Sequence, residues 1–276
     1  MSLTMKSIIG TLLLSFILSM STGYSQSVLD PKDPPSYPNV RYADLMWMKQ
    51  VWRRIDLRQK MNHGLYFPER PSNGMQSLYD HLTDAVEDGL ITAYSPGVFG
   101  DNDMFTDPMT ASEFELLLVS IDTVYSDDPL SGTELPNVIR METRASDIVM
   151  YEIKENWFFD RERSVMEVRI EGICPIISVK DELTGEFRGY KKLFWVHFPE
   201  ARYELANRIA YNRENDVERR SFEEIFHKRI FDSYIVKESN VYNRTIQEYA
   251  MGEDALFEAQ RVETKIFEME HDLWSQ

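Results

Sequence analysis

Residues able to carry chemistry are sparse in this sequence, and each candidate has a plain structural competitor. Glu155 and Asp160 bracket the aromatic run Trp157-Phe158-Phe159. The two carboxylates of a glycoside hydrolase bracket a sugar ring in this way, one as general acid and the other as base or nucleophile. With 46 acidic residues in the chain, such a pair is expected by chance, and each carboxylate can equally end a strand. Asp101, Asn102, Asp103 and Asp107 gather oxygen ligands in a loop rich in Gly and Asp. Phe105 and Thr106, however, stand where a calcium loop needs a further oxygen and then a glycine, so the segment reads as an ordinary acidic loop. Cys174, the single cysteine, lies between Ile173 and Ile176-Ile177. Such a setting suits a small buried side chain, not a nucleophile, which needs an accessible electropositive site. His63, His81, His197, His227 and His271 show no metal-ligand spacing. The nucleophile elbow, phosphate loop, dinucleotide fingerprint and H-E-x-x-H are all missing. Catalytic, cofactor-binding and metal residues are therefore read as none.

The elements that would have to position any site centre on Ile148 to Arg202, the densest run of strand-type sequence. Met150 to Phe158, Val165 to Val179 and Tyr190 to Phe198 are separated by turn signals at Asp160–Arg163 and Asp181–Gly185. This predicts a three-stranded antiparallel meander. Upstream, Arg41 to Asn62 reads as helix first and strand next, with Leu45, Met48, Trp52, Ile55 and Met61 on a helical face. A helix is expected over Met75 to Asp88, a strand over Ile91 to Tyr94, and a helix over Ala111 to Val119, capped by Thr110 with Glu113. Asp127 to Pro136 reads as an acidic loop. The C-terminal half reads as helical: Ala201 to Tyr211, Ser221 to Phe231, Val241 to Met251 and Asp254 to Trp274. The last spaces Leu256, Ala259, Val262, Ile266, Met269 and Leu273 as one buried stripe. The expected class is α+β, an antiparallel meander core flanked by N-terminal helices and a helical C-terminal half.

Composition bounds the setting. Lys6, the apolar Ile8 to Met20 and Gly23-Tyr24-Ser25 have the order of a secretory signal, expected over residues 1–25. Residues 26–40 hold a proline-rich extended arm, and 41–276 are expected to be a single α+β domain. No cysteine stands at the cleavage site for lipid attachment, and no later run is long enough to span a membrane. The mature protein is expected to be exported and without a membrane span. A formal net charge of −16 argues against nucleic acid and anionic membranes as general partners. Arg202, Arg208, Arg213, Arg219, Arg220, Lys228 and Arg229 gather in the helical half, but Glu204, Glu214, Glu223 and Glu224 interleave with them. That pattern favours ion-paired helix surfaces.

Several words of the sequence match a known family. VWRRIDLRQKMN (Val51 to Asn62), KENWFFDRERSVMEVRIEGICP (Lys154 to Pro175), LFWVHFPEAR (Leu193 to Arg202), RRSFEEIFHKRIFDSYIVKESNVYNR (Arg219 to Arg244) and EHDLWSQ (Glu270 to Gln276) occur in order across nearly the whole mature chain. In these the chain resembles the GldN/PorN family, the periplasmic component of the Bacteroidota type IX secretion and gliding machinery. The proline arm and Ser95 to Asp107 carry the least of the resemblance.

The resemblance implies a non-enzymatic subunit without cofactors. It would self-associate in a periplasmic ring with the GldK/PorK lipoprotein beneath the outer membrane, near peptidoglycan, and work with the GldL–GldM motor. Trp157, Phe158, Phe159, Trp195 and Phe198 crowd two strands of one small sheet. With Arg202 they are the candidate partner-interface residues. The competing reading from another class is a periplasmic, cell-wall-associated carbohydrate-active or carbohydrate-binding protein.

Overall fold

Within Leu45–Asp56 (β1), a strand threaded between two others, Val51 to Arg53 are buried on both faces, while Met46 and Met48 stay exposed. In the computed structural model, the described residues are 32–72, 74–127, 134–181, 184–212 and 219–274, with side chains described outside 120–140 and 273–274. The expected signal at 1–25 and residues 26–31 of the arm lie outside them. β1 pairs antiparallel with Ile148–Asp160 (β5) on one side and Tyr234–Glu238 (β9) on the other. The expectation of a helix first over Arg41 to Asn62 is corrected. Val51, Trp52 and Arg53 are buried in succession, because both sheet faces are covered. Consecutive buried positions erase the period-2 signal and imitate a helical face.

The main sheet runs β2–β8–β6–β5–β1–β9, with Ala93–Tyr94 (β2), Val165–Lys180 (β6) and Trp195–His197 (β8); Phe187–Lys192 (β7) also pairs with β6. The expected meander is present as β5–β6–β7. Its third strand is broken in two, because Leu193 and Phe194 turn inward to full burial between β7 and β8. Phe198 then opens a helix, Phe198–Asn207, with Pro199 in its first turn, where proline is favoured.

Helices cover one face of the sheet. They are His63–Tyr66 (α1), Leu78–Glu87 (α2), Ala111–Leu118 (α3), Phe198–Asn207 (α4) and Phe222–His227 (α5). Ser77 with Asp80, Thr110 with Glu113 and Ser221 with Glu224 form capping boxes that start α2, α3 and α5. Leu78, Leu82, Phe114, Phe194, Phe198 and Phe226 pack over Ile55, Tyr151 and Ile153 to make the main core. Farther along the sheet, Glu253–Trp274 (α6) lays Val262 and Ile266 on Val51 and Ile235. Ala259 joins this contact as expected, but the stripe needs correcting at its start, where Ala255 packs on the sheet and Leu256 is 66% exposed. Leu273 is outside the described side chains. Val241 to Met251 is no helix except for the short turn Ile246–Glu248. The Asn240 side chain instead accepts from the backbone N–H of Tyr242 and Arg244 and donates to the Arg244 carbonyl, closing a loop.

An unexpected hairpin, Val119–Asp127 (β3) with Glu134–Glu142 (β4), flanks the expected acidic loop and takes in only Asp127 and Glu134 to Pro136 at its ends; residues 128–133 lie outside the described residues. Among the described residues its strands pair only with each other. The class is α+β, as expected.

Candidate interaction surface

β5 alternates strictly against β1, so its odd-numbered residues share the helix-covered face with Tyr151 and Ile153. Its even-numbered residues line the opposite face with Trp52. The six candidate interface residues consequently do not form one patch. Trp195 and Phe198 are fully buried, and Phe158 and Phe159 nearly so. Trp195 meets the edge of Phe105, ring centroids 6.1 Å apart, and Phe198 meets Phe226 at 5.5 Å. Phe158 lies under the guanidinium of Arg169 at 4.9 Å. Trp157 keeps partial exposure beside α6, donates its indole N–H to Glu155 Oε2 at 3.0 Å and carries the Arg229 guanidinium 5.4 Å from its ring.

Arg202 is committed within the chain. It donates through Nη2 to Glu223 Oε1 at 2.6 Å and to the Pro35 carbonyl at 2.6 Å, with Glu223 also buried. Its guanidinium lies 4.0 Å from the ring of Tyr37, and that of Arg169 lies 5.0 Å from the same ring. Arg169 also donates to the Pro38 carbonyl at 2.6 Å. The described part of the proline arm is thus clasped by two arginines that sequence reasoning did not connect with it. Burial raises the Tyr37 phenol, opposed by the charge of Arg202. Nothing local in the sequence flags this clasp, since Tyr37 and Arg202 meet only through the fold.

The carboxylates that suggested acid–base work are occupied. Glu155 is completely buried and receives Arg229 Nη1 at 2.7 Å as well as the Trp157 indole. Asp160 stands on the other face and receives Arg163 Nε at 2.6 Å. Arg163 and neighbouring backbone N–H groups hold its carboxyl below the usual carboxylate range. Two carboxylates on opposite faces of one strand, each bound to arginine, cannot flank a glycosidic bond. Burial drives the Cys174 thiol up, which leaves it an inert core group. Asp103, from the acidic loop, faces Lys154 Nζ at 3.4 Å and Lys237 Nζ at 3.5 Å. That loop also seats Phe105, whose backbone is held at φ 54°, over Gly172. Glu152 and Lys154 alternate with Tyr151 and Ile153 in β5, and this charged period-2 stripe was the one legible sign of a polar opposite face.

Against known families, the model of the gliding motility associated protein GldN matches residues 40–275. The chain belongs to the GldN family. Among the described residues, the match takes in the whole main sheet, the six helices and the 95–108 loop. As a GldN family member it is a gliding motility associated protein. No curated protein matches the chain. Among the described residues, no helix is long and apolar enough to cross a membrane.

Proposed function

We propose that this GldN family chain is a non-enzymatic structural subunit of the type IX secretion and gliding machinery. It works in the periplasm, self-associates in a ring with a GldK/PorK-type lipoprotein at the outer membrane, lies near peptidoglycan and couples to the GldL–GldM motor. The observation that carries this reading is the family match over residues 40–275. It is supported by the internal use of the groups that could have been catalytic, Glu155, Asp160 and Cys174 among them. Of the candidate contacts, Trp157 is proposed to touch the lipoprotein directly, since it alone keeps partial exposure. Phe158, Phe159, Trp195, Phe198 and Arg202 are buried within the domain and are not proposed as direct contacts with the lipoprotein.

Deleting the gene tests the role. Loss of export by the C-terminal-signal route is expected. Intact export accompanied by altered muropeptides would overturn it in favour of a cell-wall enzyme.

A further inference from the structure

Residues 33–38 of the arm lie on the surface and hold to it by one anchor. Asp33, Pro35, Ser36 and Pro38 are exposed, and only Pro34 and Tyr37 are partly covered. Among the described residues no backbone–backbone hydrogen bond joins 33–40 to the rest of the chain, and three prolines there have no N–H to give. What holds the segment is the Tyr37 ring against the Arg169 and Arg202 guanidiniums, with the Pro38 and Pro35 carbonyls accepting from the same two arginines. A cation–π contact is worth about 0.5–2 kcal/mol, so the segment can leave without unfolding the domain. The clasp itself does not depend on the arm. Arg202 has Glu223 at 2.6 Å, and Arg169 has Glu167 at 3.3 Å and the Phe158 ring at 4.9 Å. It is a preformed receptor for one extended segment, a tyrosine flanked by proline carbonyls. Past Pro38 only Asn39 and Val40 intervene before the chain is tied again, at Arg41 to Glu162 (3.3 Å) and at the Asp44 carbonyl to the Arg161 N–H (2.9 Å).

We propose that in an assembly this clasp takes the arm of a second copy of the chain, residues 33–38 of one copy crossing to Arg169 and Arg202 of its neighbour. The inference rests on the reading that copies self-associate. The occupant is selected by fit, because the segment seated in the clasp is one that every copy carries. Opening the short hinge at Asn39 and Val40 exchanges the arm with every clasp contact kept, so the local concentration of neighbours decides between own arm and neighbour's arm. Reach then locates the contact between copies. Tyr37 stands four residues before Arg41, about 14 Å at full extension. The neighbour's clasp must therefore come to the corner formed by Arg41 and the Asp160–Arg163 turn.

The test places a photoreactive ring at the anchor, Tyr37→p-azidophenylalanine, in the full chain expressed in its native cells, and crosslinks intact envelopes. Adducts between two copies are expected, with mass spectrometry joining position 37 to peptides that contain Arg169 or Arg202. Adding Arg202→Met/Glu223→Leu to the labelled chain should cut their yield at least fivefold. Coexpressing the unlabelled parent should restore them, because the labelled arm then finds an intact clasp on another copy; a labelled chain that had lost its fold would not be rescued. The same azide at Phe187, an exposed position on β7, should give no adduct through those peptides. Adducts confined to single chains, or none through the clasp, overturn the exchange and leave the ring reading standing where the chain still sediments as an assembly. The same result from a chain that sediments as a monomer overturns both. Adducts from position 37 to a different protein overturn the second copy as the occupant.

Discussion

The Phe105 ring lies where a side chain at Gly172 would stand, with Cζ 2.4 Å from the place a β-carbon would take. This close approach lets the 95–108 loop close over the sheet face that carries Trp52, Cys174 and Trp195. It also brings Asp103 to Lys154 and Lys237.

Gly172→Ala should therefore lift Phe105 from its contacts with Tyr94 and Trp195 and cost about 1–3 kcal/mol, the range for overpacking. Urea unfolding measures the loss. Adding Phe105→Ala to Gly172→Ala should cost less than the sum of the two single changes, because the clash is then gone. Strict additivity would show that the two positions do not meet.

The buried pair of Arg202 and Glu223 makes a separate prediction. Arg202→Met leaves an uncompensated carboxylate in the interior and should cost about 3–5 kcal/mol. The double change Arg202→Met/Glu223→Leu should recover much of that loss, since a buried ion pair and an apolar pair of similar volume are often near equal. Both variants should free the arm, so limited proteolysis near Pro35 to Pro38 should accelerate even where stability is regained. Unchanged cleavage would remove Arg202 as the clasp.

His81 ties stability to pH. It is buried against Phe222, and burial, with a smaller contribution from Arg208, lowers its pKa from 6.5 to about 4. As pH falls, the unfolded chain takes up this proton first. The contribution is therefore fully present above about pH 6.5 and is lost progressively toward pH 4. Between pH 7.5 and 5 the parent should lose about 2 kcal/mol more than His81→Met, by the linkage of a shift of this size. Equal pH dependence of the two urea midpoints would mean that His81 is not held neutral by the fold.

The two sides of α6 differ in what they contribute to the domain. Ile266→Ala removes a buried contact with the sheet and should cost about 2–3 kcal/mol. Leu256→Ser changes an exposed position and should stay within about 0.5 kcal/mol. Thermal denaturation ranks them, and the reverse order would restore Leu256 to the buried stripe.

How much was readable before the fold was known depended on how local each signal was. Ser77, Thr110 and Ser221 announced helix starts because a capping box lies within four residues. The turns at Asp160–Arg163 and Asp181–Gly185 placed the meander for the same reason. β1 misled because burial on both faces removes alternation, and Leu256 misled because three-and-four spacing admits either of two adjacent stripes. The clasp of Tyr37 by Arg169 and Arg202 joins residues more than a hundred positions apart. No local pattern encodes that. Trp157, Phe158, Phe159, Trp195, Phe198 and Arg202 have only their residue type in common, large aromatic or arginine, and residue type does not separate core from surface.

The central claim, a structural subunit working in a lipoprotein-bound ring, is tested most directly by purifying the tagged chain from crosslinked cell envelopes. Mass spectrometry then identifies what accompanies it, and electron microscopy shows the particles. The account predicts a GldK/PorK-type lipoprotein in comparable amount, crosslinks near Trp157 and ring-shaped particles. Recovery of the chain alone as a monomer, from cells that export C-terminal-signal proteins normally, would contradict it.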